Sequence, residues 1–415
     1  MSRPIALIVD PVGSGAHLAP LFAQEGWDAI SVMSGHGINP TMMASHRPER
    51  YLDDFVAEQP AEALERLGGR RVDAVLPGTE TGVELADALA EAYAVTGNGR
   101  SLSACRRDKA AMADRLRVLG VPAADHAVAD SAGPLVEWAT RRDTWPVVVK
   151  PLRSAGSDGV AICSTPAEVS GAFDELIGST NKLGLTNTAV LCQEFLAGQQ
   201  YLVNSVSVDG RHYIGEIWQF DSTYDGPHQL YDRQKLLSPY GPVQDQIVEY
   251  TLRVLNALGI RHGPAHTEVM FTDRGPLLIE TAARMTGLIH QEALIAAVGH
   301  NHITLTVDCY TAPERILARP PRYRLRKSAG IVALRSAVDG ELLDGPALDR
   351  LRSMPELAGV MGGTLDPGRP ISRTRDLFTS PGLAYLVADT AEEVDRAAET
   401  IRGVEASGEL YGSVS

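Results

Sequence analysis

Four cysteines in 415 residues, Cys105, Cys163, Cys192 and Cys309, are widely spaced and form no CxxC pair. That excludes a disulfide frame and a thiolate zinc site, and it reads as free thiols in a reducing cytoplasm. Positive charge is also short. Against 52 Asp and Glu stand 38 Lys and Arg, and the net charge of −14 argues against a nucleic-acid or anionic-membrane partner. A local basic pocket for phosphates stays compatible with that total. No apolar run approaches the ~18 residues of a membrane-spanning helix. The opening MSRPIALIVDPVGSG carries about five apolar residues before turn residues; it reads as a buried strand, too short for a signal-peptide core. No GxxxxGK[ST] occurs, which excludes P-loop chemistry at the sequence level. The loop Gly13-Ser14-Gly15 lacks the third glycine of a dinucleotide fingerprint, because position 18 is Leu, and is weak evidence for NAD. What remains, 44% apolar and 22% charged, is ordinary globular composition with length for about two to four domains or subdomains.

The N-terminal hundred residues alternate apolar strand runs with helical patterns. Strands are expected at Pro4–Asp10, Trp27–Val32 and Asp73–Leu76, with a helix leading up to Gly26 and another over Ala61–Leu67. Such alternation implies a parallel sheet with sites at its strand C-termini. From Asp108 the pattern is helical until Gly120-Val121-Pro122 stops it. A second α/β region follows, with strands at Trp145–Lys150, Val160–Cys163 and Val190–Phe195 and a helix over Ala167–Leu176. A helix over Ile247–Leu258 is closed by Gly259. After a Pro/Arg-rich linker near Arg319–Arg326, a distinct unit mixes strands (Gly330–Leu334, Gly382–Ala388) with helices (Pro346–Ser353, Ala391–Ile401).

The richest segment is Gly263 to Gly287, GPAHTEVMFTDRGPLLIETAARMTG. It reads as a hairpin: a strand near His266–Phe271, a five-residue turn Thr272–Pro276, and a return strand Leu277–Thr281. A register symmetric about that turn sets Phe271 against Leu277 and Glu268 against Glu280. Directly opposed carboxylates hold their Cβ atoms about 4.5–5.5 Å apart. At ~4 Å, with an effective dielectric of about 20, they repel by about 4 kcal/mol. A positive group is therefore expected between them. Hard oxygen ligands with no thiolate nearby favour Mg²⁺ or Mn²⁺. Period-two alternation places His266, Ala282 and Arg284 on the same face. The alternative is an edge hairpin whose glutamates face water.

Three other segments suit phosphate and nucleotide handling. In PVVVKPLRSAGSDGV, Lys150 ends a buried strand, where a lone ammonium is costly without an anionic partner. The small-residue loop after it, Ser154 to Gly159 with Gly156 and Ser157, can fold backbone N–H groups around phosphate oxygens; a plain hairpin turn is the alternative. Lys109 opens a helix, where a solvated lysine would be unremarkable by itself. In Gln193-Glu194-Phe195-Leu196-Ala197-Gly198 a strand runs into a bend whose backbone suits an adenine edge, with Phe195 or Leu196 against the ring.

Taken in order, Lys109, VVVKP with its Gly/Ser loop, QEFLAG, and Glu268 with Glu280 and then Arg284 resemble the motif set of the ATP-grasp superfamily, over roughly residues 5 to 310. The ending Glu280-Thr-Ala-Ala-Arg284-Met-Thr-Gly287, with PGTETGVELADAL and GNGRSLSACRRDK, is similar to the L-amino-acid ligase (dipeptide synthetase) branch of carboxylate–amine ligases. The segment from Asp376 to Arg402 looks like those ligases' small C-terminal domain. The implied fold is multidomain, α/β and α+β. An N-terminal Rossmann-like parallel-sheet domain (1–104) and a linking helical segment (105–126) precede a lid subdomain (127–194). A central antiparallel-sheet catalytic subdomain (195–318) and a C-terminal α+β domain (319–415) follow.

The resemblance implies ATP and Mg²⁺ (or Mn²⁺), with Lys109 and Lys150 on the phosphates and the Ser154–Gly159 loop as a lid. Glu194 and Leu196 would meet adenine through their backbone, Glu268 and Glu280 would hold the metal, and Arg284 would hold the transferred phosphoryl group. Ala282 stands where many members carry a metal-ligating Asn, and Gln199-Gln200 where a ribose-binding acid is common. The QVEH run of biotin carboxylases is absent after Arg284, which argues against bicarbonate chemistry. The implied activity is ADP-forming ligation of a carboxylate, through an acyl-phosphate, to an amine, with amino acids as the expected small-molecule substrates. His266 would orient a substrate carboxylate or help deprotonate the amine, or else be a structural histidine. Glu80 faces a substrate ammonium or caps a helix. The loop holding His228 and Tyr231 lines the amino-acid pocket or is plain surface, and Gly287 completes the substrate-side set. Rival readings are a ligase of nucleotide or cofactor biosynthesis, a ligase for a non-amino-acid carboxylate, and a non-catalytic ATP-binding regulator. The likeness also carries the expectation of a homodimer in the cytoplasm.

Overall fold

The computed structural model describes residues 2–412 apart from 36, 37, 39, 155, 157, 226, 227 and 288, with backbone only at 41, 224, 225, 228 and 229. Four parallel strands open the chain: β1 (Ile5–Val9), β2 (Asp28–Met33), β3 (Asp54–Val56) and β4 (Ala74–Pro77), in the order β3-β2-β1-β4. The parallel expectation holds. The short edge strand β3 escaped periodicity because it spans three residues, half-burying two of them and leaving Val56 exposed. Buried runs such as Ala6–Val9 supply the two-sided apolar strands that a covered parallel sheet needs.

The second sheet is small and antiparallel, ordered β5-β8-β6-β7, from β5 (His126–Ala129), β6 (Val147–Pro151), β7 (Ala161–Cys163) and β8 (Val190–Glu194). Helices Ala132–Arg142 and Pro166–Leu176 cover it and close a core of its own around Leu135, Val149, Val169 and Phe173.

The third sheet carries the hairpin. It is built from β9 (Gln199–Val208), β10 (Arg211–Asp225), β11 (His228–Leu236), β12 (Gly263–Thr272) and β13 (Gly275–Ala282). The C-terminal segment adds β14 (Ser328–Ala333), β15 (Gly340–Leu342), β16 (Leu357–Met361), β17 (Pro370–Ile371), β18 (Leu383–Ala388) and β19 (Tyr411–Gly412). Three of these extend the sheet to eight strands, β13-β12-β9-β10-β11-β14-β18-β16, while β17, β15 and β19 form a separate three-stranded one. One apolar core joins Ile8, Leu18 and Phe22 of the first unit to Val203, Ile217 and Trp218 of the large sheet and Ile331 and Leu383 beyond it. The helix expected over Ile247–Leu258 starts earlier, at Pro242, whose missing N–H is harmless in a first turn.

The hairpin register differs from expectation at its tip. Phe271 pairs with Pro276, not Leu277, and Thr272 pairs with Gly275, leaving only Asp273 and Arg274 as the loop. Gly275 makes this tight turn at φ +90°, where a side chain would be strained. A bulge then absorbs the one-residue difference: Val269 faces Leu278 while Glu268 faces Glu280, so Ile279 is the extra residue of the return strand. The acidic pair stands opposed as expected, by a different route.

Candidate active site

The two carboxylates meet two lysines. Lys109 is the first residue of helix Lys109–Val118, whose N-terminus is capped by Asp108 accepting from Ala110 N and Ala111 N at 3.0 and 2.9 Å. That cap fixes where the lysine leaves the helix, and Lys109 N also donates to Leu152 O at 3.1 Å. The ammonium donates to Ser154 O at 2.8 Å and pairs with Glu280 Oε2 at 2.7 Å. Lys150 lies near the end of β6, only 6% exposed. Burial and the neighbouring Lys109 hold its pKa down to about 8 against the pull of Glu280 and Glu268. Burial pushes the Glu280 carboxyl up, but the Lys109 charge and hydrogen bond outweigh it, and the group sits below the ordinary range. The positive charge expected between the glutamates is thus supplied on one side by lysine.

The donor set fits a divalent cation that shares its ligands with phosphates. Among the described residues no three His, Cys, Asp or Glu gather as a metal cage. Two opposed carboxylates are what Mg²⁺ takes from a protein when phosphate oxygens and water complete its octahedron. Glu268 Oε2 accepts from Gln200 Nε2 at 2.9 Å, and His266 Nε2 lies 3.4 Å from its other oxygen, so the carboxylate is oriented rather than loose.

These groups border a cavity of about 510 Å³ between the small sheet and the large one. Of the expected nucleotide-side residues, Lys109, Lys150, Ser154, Gly156, Gln193, Glu194, Phe195 and Leu196 line it, together with Glu268 and Glu280. Val148, Ile162, Met270 and Ile279 add apolar walls suited to a base. Gly198 brings the bend after β8 onto the hairpin, because a Cβ there would collide with Phe271 O. Gly159 is not among the lining residues; at φ +66° a Cβ there would stand 2.6 Å from a Leu176 methyl, so it closes the base of the loop. Ser157 lies outside the described residues. Within the loop, Ser154 Oγ donates to Asp158 Oδ2 at 2.8 Å, and the same oxygen accepts from Lys182 N at 2.8 Å.

Glu194 lines the cavity with its N–H and its carboxylate already engaged. Its N–H donates to Asp125 O at 2.9 Å, so any ligand contact of its backbone falls to the carbonyl. Its carboxylate accepts from Asp125 N at 2.9 Å and pairs with Arg142 at 3.2 Å and Arg274 at 3.0 Å, tying helix Ala132–Arg142, β8 and the hairpin tip together. Asp221, which sequence reasoning passed over, lines the cavity and accepts from Gln199 Nε2 at 3.1 Å. It arrives from β10, a strand next to the glutamines in space and distant in sequence.

Arg284, Glu80 and His266 are absent from the lining and stand next to it. Glu80 receives Arg284 Nε at 2.7 Å and an ion pair from Arg107. Neither expectation for Glu80, substrate ammonium or helix cap, describes this contact: two guanidiniums neutralise it inside the protein. Burial pushes its carboxyl up, yet Arg107, Arg284 and Lys109 together hold it at about 2. Buried Asp10, accepting from Ser34 and Thr81, fixes the loop that presents it. His266 Nδ1 lies 2.8 Å from Asn204 Oδ1, and Asn204 Nδ2 donates at 2.8 Å to buried Glu216, which Trp218 Nε1 also reaches at 2.8 Å. The ring is hydrogen-bonded in place beside Glu268. Tyr231 lines the cavity, packed edge-on against Phe220 at 4.8 Å between centroids. Gly287 is exposed, with nothing within 4 Å of a Cβ there. The side chain of His228 lies outside the described residues.

A family model for the ATP-grasp domain matches residues 144–292. Dapdiamide A synthase of Enterobacter agglomerans is 31% identical over 416 residues, 98% of this chain and 96% of that protein. The L-arginine-specific L-amino acid ligase of Bacillus subtilis is 23% identical over 228 residues, 54% of each chain. In fold, the L-amino acid ligase of Bacillus licheniformis superposes over 100% of both chains with a TM-score of 0.74 at 17% identity. No helix among the described residues is long and apolar enough to cross a membrane.

Proposed function

Because the chain belongs to the ATP-grasp carboxylate–amine ligases, we propose that it joins the carboxylate of one amino acid to the amine of a second amino acid or a related amine, with ADP and phosphate as the other products. The observation carrying this reading is the convergence of Lys109, Lys150, Glu268 and Glu280 on one cavity roofed by a separately packed unit. The full-length likeness to a synthase does not favour a silent regulator.

In the proposed reaction the acid's carboxylate attacks the γ-phosphorus of ATP, the bond to ADP breaks, and an acyl-phosphate forms. The amine then attacks the acyl carbon; phosphate leaves and the amine loses a proton. Such transfers require mainly positioning and charge neutralisation. Lys109 and Lys150 supply two ammoniums for phosphate oxygens. Mg²⁺, held by Glu268 and Glu280, would neutralise phosphate charge. Arg284, its Nε engaged by Glu80, offers a planar guanidinium to the phosphoryl or carboxylate oxygens. Gln193 to Leu196 would border the adenine, Asp221 would take the ribose hydroxyls, and the Ser154–Gly159 loop would cover the phosphates. His266 would orient the substrate carboxylate or accept the amine proton, and the segment with His228 and Tyr231 would border the amino-acid pocket. Four free cysteines accord with a cytoplasmic setting, and a homodimer is part of the proposal through the family likeness.

The test is ADP release from Mg-ATP across pooled amino acids, organic acids and amines, with products read by mass spectrometry. Release requiring an acid and an amine together, with a mass equal to their sum less water, supports the reading. ADP release that ignores the amine, or a product lacking amino acids, overturns it.

A further inference from the structure

The segment near Arg319–Arg326, which reads in sequence as a linker, is not slack. Pro321 O accepts from Ile214 N at 2.9 Å and Tyr323 N donates to Ile214 O at 3.0 Å, pairing the segment with β10. Tyr323 is 1% exposed, and its hydroxyl bonds to Leu237 O. This anchoring holds Arg319, Arg322, Arg324 and Arg326 around a second cavity of about 410 Å³, with Tyr213 and His300 in its wall. No acidic residue is among those lining it. In a chain of net charge −14, an acid-free hollow with four guanidiniums is a concentrated positive field.

Ordinary structural duties account for part of this charge only. Arg322 bonds Pro239 O at 2.9 Å and pairs with Asp245. Arg319 stacks over Tyr213 at 5.5 Å and reaches Asp308 at 3.7 Å, a carboxylate that Arg315 already holds at 2.9 Å. Its Nε is buried with no hydrogen-bond partner among the described residues. Arg326 lies against Gly299, the residue after helix Gln291–Val298, and a Cβ there would collide with the guanidinium. A helix C-terminus favours that cation. Arg324 has neither a carboxylate nor a helix end, and neither it nor Arg326 makes a side-chain hydrogen bond or ion pair among the described residues. The field is felt by a neighbour: burial lowers the His300 pKa to about 4, and Arg319 and Arg326 contribute to that lowering although a bond to Gly215 O opposes it.

We propose that this cavity is a binding site for a phosphate-type dianion, distinct from the ligase cavity. Guanidinium forks match tetrahedral oxyanions through paired N–H donors. The backbone pairing with β10 at Pro321 and Tyr323 fixes where the segment carrying them runs along the cavity. The volume exceeds what a bare phosphate fills, so a phosphate ester fits as readily as the free ion.

The full chain, with its ligase cavity saturated by a non-hydrolysable ATP analogue and Mg²⁺, is titrated calorimetrically with inorganic phosphate, glycerol phosphate and succinate. One site per chain is expected for a phosphate probe, weakened at least tenfold in the Arg324→Gln/Arg326→Gln variant. Arg324→Gln alone, at an exposed position, serves if the double variant unfolds, with a several-fold loss expected. Tighter binding of the ester assigns an organic phosphate, and tighter binding of the free ion assigns phosphate itself. Absence of phosphate binding, affinity unchanged in both variants, or succinate binding as tightly as phosphate overturns the proposal.

Discussion

Arg284 and Glu80 are joined by a 2.7 Å hydrogen bond although 204 residues separate them in the chain. The bond carries the N-terminal unit to the edge of the site, with Arg107 on the other carboxylate oxygen. Glu80→Gln removes the only negative charge between these two guanidiniums in that contact, and breaking such a buried arrangement costs about 3–5 kcal/mol. The pH dependence has a definite sign. A carboxyl held at about 2, against 4.5 when free, adds stability present above pH 4.5 and lost as pH falls towards 2. Melting temperatures across that window should fall more steeply for the wild type than for Glu80→Gln. Parallel curves would sink the assignment.

Arg284 itself is a candidate for the chemical step. Replacing a positioned electrostatic donor costs on the order of 10²-fold in turnover, and Arg284→Ala should lose at least about that much. Arg284→Lys should recover little, because an ammonium cannot keep Glu80 and grip a planar anion together. Steady-state kcat decides it: near-normal turnover in the alanine variant removes Arg284 from the mechanism.

Opposed glutamates make metal dependence a sharp expectation. Chelation should abolish ADP formation, and Mg²⁺ should restore it. Glu268→Gln leaves Glu280 with Lys109 and should raise the Mg²⁺ needed for half-maximal rate at least about tenfold. A Mg²⁺ titration that superposes on the wild type would exclude Glu268 as a ligand.

Lys150 should report nucleotide through protons. Its folded pKa is about 8 against 10.5 for a free lysine, so the cost of burying its charge weighs fully below pH 8 and fades towards 10.5. Between those values the empty site holds the lysine partly neutral, whereas a triphosphate beside it favours the ammonium. Nucleotide binding in that window should therefore take up protons, measurable as calorimetric heats that vary with buffer ionisation enthalpy. Lys150→Met should lose both the uptake and much of the affinity. Buffer-independent heats in the wild type would contradict this.

Local order was legible wherever it depends on neighbours in sequence. The strand carrying Lys150, the helix starting at Lys109 and the opposition of Glu268 to Glu280 follow from an apolar run, a helical period beginning at Asp108 and a turn. The bulge at Ile279 was not legible, since an even register and a tighter turn plus one extra residue bring the same glutamates together. Contacts across long separations were hidden as well. Asp221 reaches the cavity from β10, and Glu194 spends its carboxylate on Arg142 and Arg274. The continuation of the large sheet through β14 was equally invisible, because pairing of Arg233 with Val332 leaves no mark in the periodicity of either strand.

One such long-range contact braces the Ser154–Gly159 loop. Lys182 Nζ lies 2.6 Å from Asp376 Oδ2 and 4.4 Å from the ring centre of Phe378, while a Cβ at Gly156 would stand 2.9 Å from that same ring. Lys182 N in turn holds Asp158, which holds Ser154. The C-terminal segment therefore grips the loop from outside through one lysine and one phenyl ring. A partly exposed ion pair contributes about 0–1 kcal/mol to folding, so Lys182→Ala should leave the melting temperature nearly unchanged. Its effect should fall on closure of the loop over nucleotide: the KM for ATP should rise several-fold, with a smaller change in kcat. Phe378→Ala should act in the same direction, and the double variant should add little, because both substitutions open one contact. ATP kinetics identical to wild type in all three variants would show that the loop closes without help from the C-terminal segment.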